Sequence, residues 1–172
     1  MTILENHPFS ALTRQIEQML WASIILSCAV AAISLVNMGR LSLFMAPILF
    51  AATATHHGVV LRLLSRDRKK DPEHLKGTLA PTAQKATIVI LWILPVLWSI
   101  AVFTVCIVSV LIMAMNQFEG WERFAGYLEL PFMVAEVALL IVLAIKCRKQ
   151  RKRTMTDPVV SDWQSYQSTT VV

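Results

Sequence analysis

The length and composition of the chain exclude an ordinary soluble domain. Of its 172 residues, 56% are hydrophobic and only 16% are charged, whereas soluble domains carry about 25% charged residues. A soluble fold of this size could not bury so many apolar side chains. The formal net charge of +5 does not indicate nucleic acid as a partner, because the basic residues lie beside apolar blocks and are not interleaved with aromatic residues. Anionic lipid headgroups are the expected counter-charge.

The apolar residues fall into four blocks, each at or above the length of about 18 residues that predicts a membrane-spanning helix. We place the spans at residues 19–38, 41–64, 87–115 and 124–146, with an N-terminal segment 1–18, a polar loop 65–86 and a tail 147–172. The predicted fold is all-α, a bundle of four transmembrane helices made of two antiparallel helical hairpins. The lipid bilayer is then the main partner of the chain.

The N-terminal segment predicts a short interfacial helix, because Leu12, Ile16 and Met19 recur at helical spacing. A cleavable signal peptide is the alternative, since residues 29–31 (Ala-Val-Ala) resemble a cleavage site. The segment before the first block is nearly neutral, whereas a signal peptide begins with net positive charge. We therefore interpret the first block as a retained span.

The connections predict how the spans follow one another. The turn between the first two blocks is short, so these helices are expected to be antiparallel neighbours. The loop 65–86 is rich in Lys, Arg and Pro, which predicts a mobile polar segment between two hairpins. The third block is longer than the hydrocarbon layer requires and contains Pro95, so a tilt, a protruding end or a kink is expected there.

The basic residues predict the orientation in the membrane. All Lys and Arg residues except Arg40 and Arg123 lie in or near the termini and the long loop. Cytosolic segments carry an excess of Lys and Arg, so both termini and the loop 65–86 are predicted to be cytosolic. The tryptophan and tyrosine residues near the ends of the spans agree with membrane interfaces at those levels. We expect a multi-pass protein of the plasma membrane or of a secretory-pathway membrane.

Glu136, His56 and His57 are the candidate ionisable residues inside the membrane. Counted from the cytosolic ends of their spans, His56 and Glu136 lie about 12 and 15 Å deep at 1.5 Å per residue. Such groups normally face the bundle interior and find a partner there. We therefore predict that Glu136 meets one of the two histidines.

An alternative partner for Glu136 is a hydroxyl of the third span. Ser99 and Thr104 lie in that span, and a protonated Glu136 could bond to either of them or to a backbone carbonyl. Glu129 is given less weight, because it lies near the outer interface, where water is expected to solvate it.

Small residues recur at helical spacing in the first two spans. Ser23, Ser27 and Ala31 are four residues apart, as are Ala54 and Gly58, and such stripes let helix backbones approach closely. The stripes indicate either packing within one bundle or a face for another copy of the chain or for a helix of a different membrane protein.

The basic run that follows the fourth span predicts contact with anionic headgroups. Its cationic residues are Lys146, Arg148, Lys149, Arg151, Lys152 and Arg153. A plain topology signal is the alternative interpretation. Cys147 lies within this run and is a candidate for palmitoylation. No two of the three cysteines lie in an outer loop, so no disulfide is expected.

The C-terminal residues Thr170, Val171 and Val172 match two short signals. One is the pattern that a PDZ groove captures by adding a strand and holding the terminal carboxylate. The other is a terminal valine pair of the kind that vesicle coats read for export. The tail before these residues is rich in Ser and Thr and is predicted to be disordered.

No enzyme, cofactor or metal motif is present in the sequence. It has no Gly-rich phosphate loop, no Gly-x-Ser-x-Gly, no Cys-x-x-Cys and no His-Glu-x-x-His. The neighbouring histidines alone cannot make a metal site, because adjacent helical residues point about 100° apart. We therefore expect no cofactor and no enzymatic activity.

The predicted architecture resembles that of the tetraspan MARVEL-like membrane proteins, in particular uncharacterised fungal members. The local likenesses are Thr13, Arg14 and Gln15 leading into the first span and the His56-His57 pair in the second. The resemblance implies a role in membrane subdomains, vesicle traffic or junction-like organisation and implies no catalytic residues.

Three functions are compatible with these features. The first is a non-enzymatic protein that organises membrane subdomains or partner proteins. The second is a small oligomeric transporter or channel that uses Glu136 with His56 or His57 as an intramembrane ionisable site. The third, less supported, is a subunit of a membrane-embedded enzyme.

Overall fold

The chain is all-helical over the residues that the structure, a computed structural model, describes: 11–36, 42–70, 79–114 and 121–156. Within these ranges lie four long α-helices and one short 3-10 helix, Pro81–Ala83. The long helices are α1 Ala11–Val36, α2 Met45–Asp67, α3 Lys85–Ala114 and α4 Trp121–Thr156. Each is long and apolar enough to cross a membrane, which confirms the prediction of four apolar helices.

Two helices extend beyond the predicted spans. The expected lead-in helix and the first span form a single helix, α1, which begins at Ala11. Helix α4 continues through the basic run as far as Thr156. Lys, Arg and Gln are good helix formers, and cations near a helix C-terminus interact favourably with its dipole. The run therefore extends the fourth helix instead of ending it.

Polar contacts define two ends of the bundle. Arg68 after α2 is paired with Glu17 of α1, and the Lys146 ammonium of α4 donates to the Gln15 side chain at 3.1 Å. We call this the basic end. At the opposite end, the Ser34 hydroxyl lies 2.7 Å from the hydroxyl of Ser42, which precedes α2.

The 3-10 segment is packed against the basic end of the bundle. Ala80, Thr82 and Ala83 are buried, and the Thr82 hydroxyl donates to the Gln150 side-chain oxygen at 2.7 Å. The Gln150 amide in turn donates to the Thr13 hydroxyl at 3.2 Å. The prediction of a mobile polar loop over 65–86 is therefore wrong for residues 79–84. Gln150 of α4 thus bonds both this part of the loop and α1.

Two apolar clusters fill the interior. One surrounds Trp98 and lies toward the opposite end; the other surrounds Leu64 and Cys147 and lies toward the basic end. The Trp98 indole donates to the Thr53 hydroxyl at 3.2 Å, which satisfies its buried N–H. Large apolar side chains on the outer surface, such as Val96 and Phe103 of α3, are placed where lipid chains would cover them.

Pro95 lies inside α3 without ending it. The helix is continuous from Lys85 to Ala114, and the Ser99 hydroxyl donates to the Pro95 carbonyl at 2.7 Å. Transmembrane helices tolerate proline where neighbouring side chains satisfy the backbone groups that it frees.

Candidate functional site

Three helices meet in the interior at a chain of polar side chains. The Ser23 hydroxyl of α1 donates to Glu136 Oε1 of α4 at 2.5 Å. His57 Nε2 of α2 lies 3.1 Å from the same hydroxyl oxygen. All three side chains are fully buried. A single hydroxyl therefore links the carboxyl of α4 to the imidazole of α2.

Helical spacing places these residues on the inner faces of their helices. His57 belongs to a buried row on α2 with Thr53, Val60 and Leu64, and successive members of the row are three or four residues apart, as one face of a helix requires. Ser23 lies on the equivalent row of α1, between Leu20 and Ser27. On each of these two helices, the polar residue of the site thus lies one turn from a buried apolar residue of the same row.

With Glu136 as an ionised acceptor, the contacts follow one direction of donation from His56 to Glu136. A serine hydroxyl has one proton, and Ser23 gives it to Glu136. The Ser23 oxygen can then only accept from His57, so His57 Nε2 carries a proton. A neutral His57 with its proton on Nε2 has a bare Nδ1, which lies 3.1 Å from His56 Nδ1. His56 is then the donor in that contact.

Both ends of this series of hydrogen-bonded side chains have an open hydrogen-bonding position. Within the described part of the molecule, Glu136 Oε2 and His56 Nε2 are buried atoms without a hydrogen-bond partner. Buried polar atoms are usually paired, and an unpaired one is costly in an apolar surrounding. We refer to His56, His57, Ser23 and Glu136 together as the buried relay.

The predicted meeting of Glu136 with a histidine is indirect in the structure, because Ser23 lies between Glu136 and His57. The alternative partners in the third span are wrong. Ser99 donates to the carbonyl of Pro95, and Thr104 donates to the carbonyl of Ile100 at 3.0 Å. Both hydroxyls satisfy the backbone of their own helix and do not reach across the bundle.

The prediction that small residues allow close helix packing has different outcomes for α1 and α2. Ser23, Ser27 and Ala31 are buried inside the bundle, as the packing interpretation predicts, but the role of Ser23 as a polar link was not foreseen. Gly58 is exposed, and no atom lies within 4 Å of a Cβ added there. Close helix approach at Gly58 is thus not used by the described part of the chain.

Glu129 is buried, contrary to the expectation that water solvates it. Its side chain is fully buried, and neither carboxylate oxygen has a hydrogen bond of ordinary geometry within the described residues. The Ser34 side chain is nevertheless near enough to interact with the carboxyl. The sequence estimate failed because it considered depth alone, whereas packing against α1 closes the site to solvent.

The basic run of α4 has an inner and an outer face. Gln150 and Thr154 are buried, while Lys146 and Arg151 are partly buried, and Arg151 donates to the Ala83 carbonyl at 3.0 Å. The exposed cations are Arg148, Lys149, Lys152 and Arg153. Headgroup contact remains a prediction, and its geometric basis is this exposed face.

Cys147 is an unsuitable lipidation site. Its side chain is fully buried in the apolar cluster that contains Leu20, Leu64 and Leu143. A thiol must be exposed to react with an acyl donor, and this one is enclosed by the bundle. The sequence placed Cys147 correctly in the basic run but could not show which face of α4 it occupies.

The predicted C-terminal signal, Thr170 to Val172, lies outside the described residues. The short loops that contain Arg40 and the residues before Trp121 also lie outside them.

Removing the Ser23 hydroxyl is expected to destabilise the bundle. Ser23→Ala leaves His57 Nε2 and Glu136 Oε1 without their partner, at a cost of about 1 to 3 kcal/mol per buried group. The free energy of unfolding in mixed detergent micelles measures this. Ser27→Ala is the matched control, because the Ser27 hydroxyl bonds only the Ile24 carbonyl of its own helix, and it should have little effect. Equal stability of wild type and Ser23→Ala would contradict the contact.

The site is thus a buried relay contributed by α1, α2 and α4. Over the described ranges, no three His, Cys, Asp or Glu side chains are close enough together to hold a metal ion. Comparisons of the chain with protein-family models, with curated proteins and with solved structures find no match.

Proposed function

We propose that this is a multi-pass membrane protein that binds protons at the buried relay and passes them across the bundle, as a small proton-coupled transporter or channel. One observation carries the proposal: the relay is a continuous hydrogen-bonded chain whose two terminal atoms, Glu136 Oε2 and His56 Nε2, have no partner among the described residues. Ionisable residues inside a membrane mark ion and proton pathways more often than structural sites.

The relay can hold the same protons in two arrangements. In the first, His56 donates to His57, His57 donates to Ser23, and Ser23 donates to a Glu136 carboxylate, with a second proton making His56 an imidazolium. In the second, a protonated Glu136 donates to Ser23, Ser23 donates to His57 Nε2, and His57 Nδ1–H donates to a neutral His56. One proton shift at each contact converts one arrangement into the other, so a proton moves between Glu136 and His56 without any bond to a solvent molecule.

The free energies favour such an exchange over a permanent charge. A charged carboxylate at the middle of a spanning helix costs about 2.5 to 3.5 kcal/mol on insertion scales, whereas the second arrangement is neutral throughout. In the first arrangement, attraction between the Glu136 carboxylate and the His56 imidazolium across the low-dielectric interior offsets part of the cost of the charges. Each arrangement thus has a term that favours it, which a proton relay requires.

The apolar clusters would act as barriers on either side of the relay. Along α1 and α2, Ser23 and His57 each lie between residues of the two clusters, with Leu20 and Val60 toward the basic end. Proton transfer to either side of the membrane then depends on water entering one cluster at a time.

We also propose the finer topology, in which α1 with α2 and α3 with α4 form two antiparallel hairpins and both termini are cytosolic. The contacts between Glu17 and Arg68 and between Ser34 and Ser42 support opposite directions for α1 and α2. The excess of Lys and Arg at the basic end supports a cytosolic position for that end.

The orientation predicts a simple cleavage pattern on sealed vesicles with the cytosolic face outward. Protease should remove a tag from the C-terminus and leave a tag inserted between residues 115 and 120 intact, because only the basic end faces the medium. Detergent-opened vesicles, in which both tags should be cut, provide the control. Protection of the C-terminal tag together with loss of the inserted tag would reverse the orientation.

Replacing Glu136 is expected to abolish proton flux. Glu136→Gln keeps the size of the side chain and a hydrogen bond to Ser23 but cannot release a proton. In proteoliposomes with a trapped pH-sensitive dye and an imposed potassium diffusion potential, the wild type should acidify or alkalinise the lumen, and Glu136→Gln should match protein-free vesicles.

The control for this assay is Thr104→Val, whose hydroxyl bonds only the backbone of α3. It should retain wild-type flux. Folded wild type without flux above empty vesicles, over both signs of the imposed potential, would contradict the proposal.

A second candidate function is organisation of the membrane or of partner proteins, without catalysis. The specific observation in its favour is the exposed basic face of α4 at Arg148, Lys149, Lys152 and Arg153, which fits an anionic lipid surface. Under this proposal the resemblance to MARVEL-like proteins, self-association and helix partners remain predictions, and the relay only stabilises the bundle.

A further inference from the structure

A second buried carboxyl lies on the same helix as the relay. Glu129 is fully buried, and both of its oxygens lack an ordinary hydrogen bond within the described residues. Ser34 of α1 interacts with it, and the Ser34 hydroxyl is itself 2.7 Å from that of Ser42. All three side chains are fully buried. Glu129 is thus closed to solvent beside Ser34, without an ordinary hydrogen bond to the described residues.

Glu129 and Glu136 occupy equivalent positions two helical turns apart. Their separation of seven residues places them on the same face of α4, about 10 Å apart along the axis. Each lies beside a buried serine of α1, Ser34 for Glu129 and Ser23 for Glu136. The two carboxyls therefore lie in series between the middle of the bundle and its opposite end.

No cation balances Glu129 within the described residues. The described ion pairs join Arg68 to Glu17 and Lys70 to Asp67, both at the basic end. Buried side chains toward this end of the bundle are hydroxyl-bearing or apolar: Ser34 and Val30 of α1, Ser42 before α2, and Ala101 and Val105 of α3. A carboxylate there would be costly, and a protonated carboxyl would cost less because it carries no charge.

We infer that Glu129, beside Ser34, is a second proton-binding site that exchanges protons between the relay and the opposite end of the bundle. The inference rests on the proposed function, because it assigns Glu129 a place in the same proton path. Proton uptake at Glu129 leaves a neutral carboxyl, which can donate to Ser34 or to a water molecule at that end.

Apolar side chains separate the two carboxyl sites. Met133 lies between them on α4, and Val30 lies between Ser23 and Ser34 on α1; both are fully buried. Ser27 also lies in this part of α1, but its hydroxyl donates to the Ile24 carbonyl of its own helix. No proton can move directly from Glu129 to Glu136 past these groups, since a transfer needs atoms within hydrogen-bonding distance. Exchange then requires transient water between the sites, and the pair Met133 and Val30 forms the gate.

Dicyclohexylcarbodiimide tests the state of Glu129 directly. This apolar reagent enters membranes and reacts with protonated carboxyls: the acid proton moves to a carbodiimide nitrogen, the carboxylate oxygen bonds to the central carbon, and acyl migration to nitrogen gives a stable N-acylurea. Mass spectrometry of the labelled full-length protein in liposomes locates the adduct. We expect an adduct on Glu129, less of it as the pH rises, and no protection by sodium chloride.

Variants separate this inference from the proposed function. Glu136→Gln should lose flux but keep the Glu129 adduct, whereas Glu129→Gln should lose the adduct and lower the flux by about tenfold or more, because it removes a proton-binding step from an otherwise apolar path. Thermal unfolding followed by tryptophan fluorescence verifies that both variants are folded. Glu129→Asp, which keeps the ionisable group, should restore part of the flux.

Four outcomes would overturn the inference. No adduct on Glu129, with flux that still depends on Glu136, would remove Glu129 from the path and leave the proposed function intact. Protection by sodium ions would make the site a cation site. An adduct that forms only in Arg40→Ala or Arg123→Ala would show a salt-bridged carboxylate. An adduct on Glu129 without flux in any variant would instead contradict the proposed function and, with it, the place of Glu129 in series.

Discussion

The need to satisfy one carboxyl group inside an apolar bundle constrains the rest of this structure. Glu136 lies on a spanning helix, fully buried, where neither water nor lipid can replace its hydration. Its partner must come from another helix at the same depth. Ser23 supplies that partner and is in turn bonded to His57, so the polar group of one helix fixes the depth and rotation of two others.

This constraint explains why the interior of the bundle has separate polar levels and apolar clusters. Apolar residues alone would allow the helices to rotate or slide with little change in free energy, because lipid chains compete equally for apolar surfaces. Hydrogen bonds across helices have a defined geometry and remove that freedom. The relay acts in this way in the middle of the bundle, and Gln150 does so at the basic end through Thr13 and Thr82. The apolar clusters then fill the space between these two polar levels.

The sequence was sufficient to predict four long apolar helices, because their existence follows from the length of the apolar blocks. It was insufficient wherever a side chain's direction matters. Cys147 lies in the basic run as predicted but faces inward, and Glu129 lies near a helix end but is covered by α1. Ser23 was recognised only as a small residue, although a buried serine at the depth of Glu136 and His57 was a usable signal for the link.

The state of His57 tests the central claim, that one hydroxyl couples Glu136 to the histidines, most directly. Solid-state NMR of ¹⁵N-histidine-labelled protein in lipid bilayers reports which ring nitrogen carries a proton and how strongly it is hydrogen-bonded. The account predicts that Glu136→Gln changes the Nε2 signal of His57 in the wild-type background and leaves it unchanged in a Ser23→Ala background. A His57 signal that is identical in the wild type, Ser23→Ala and Glu136→Gln would contradict it.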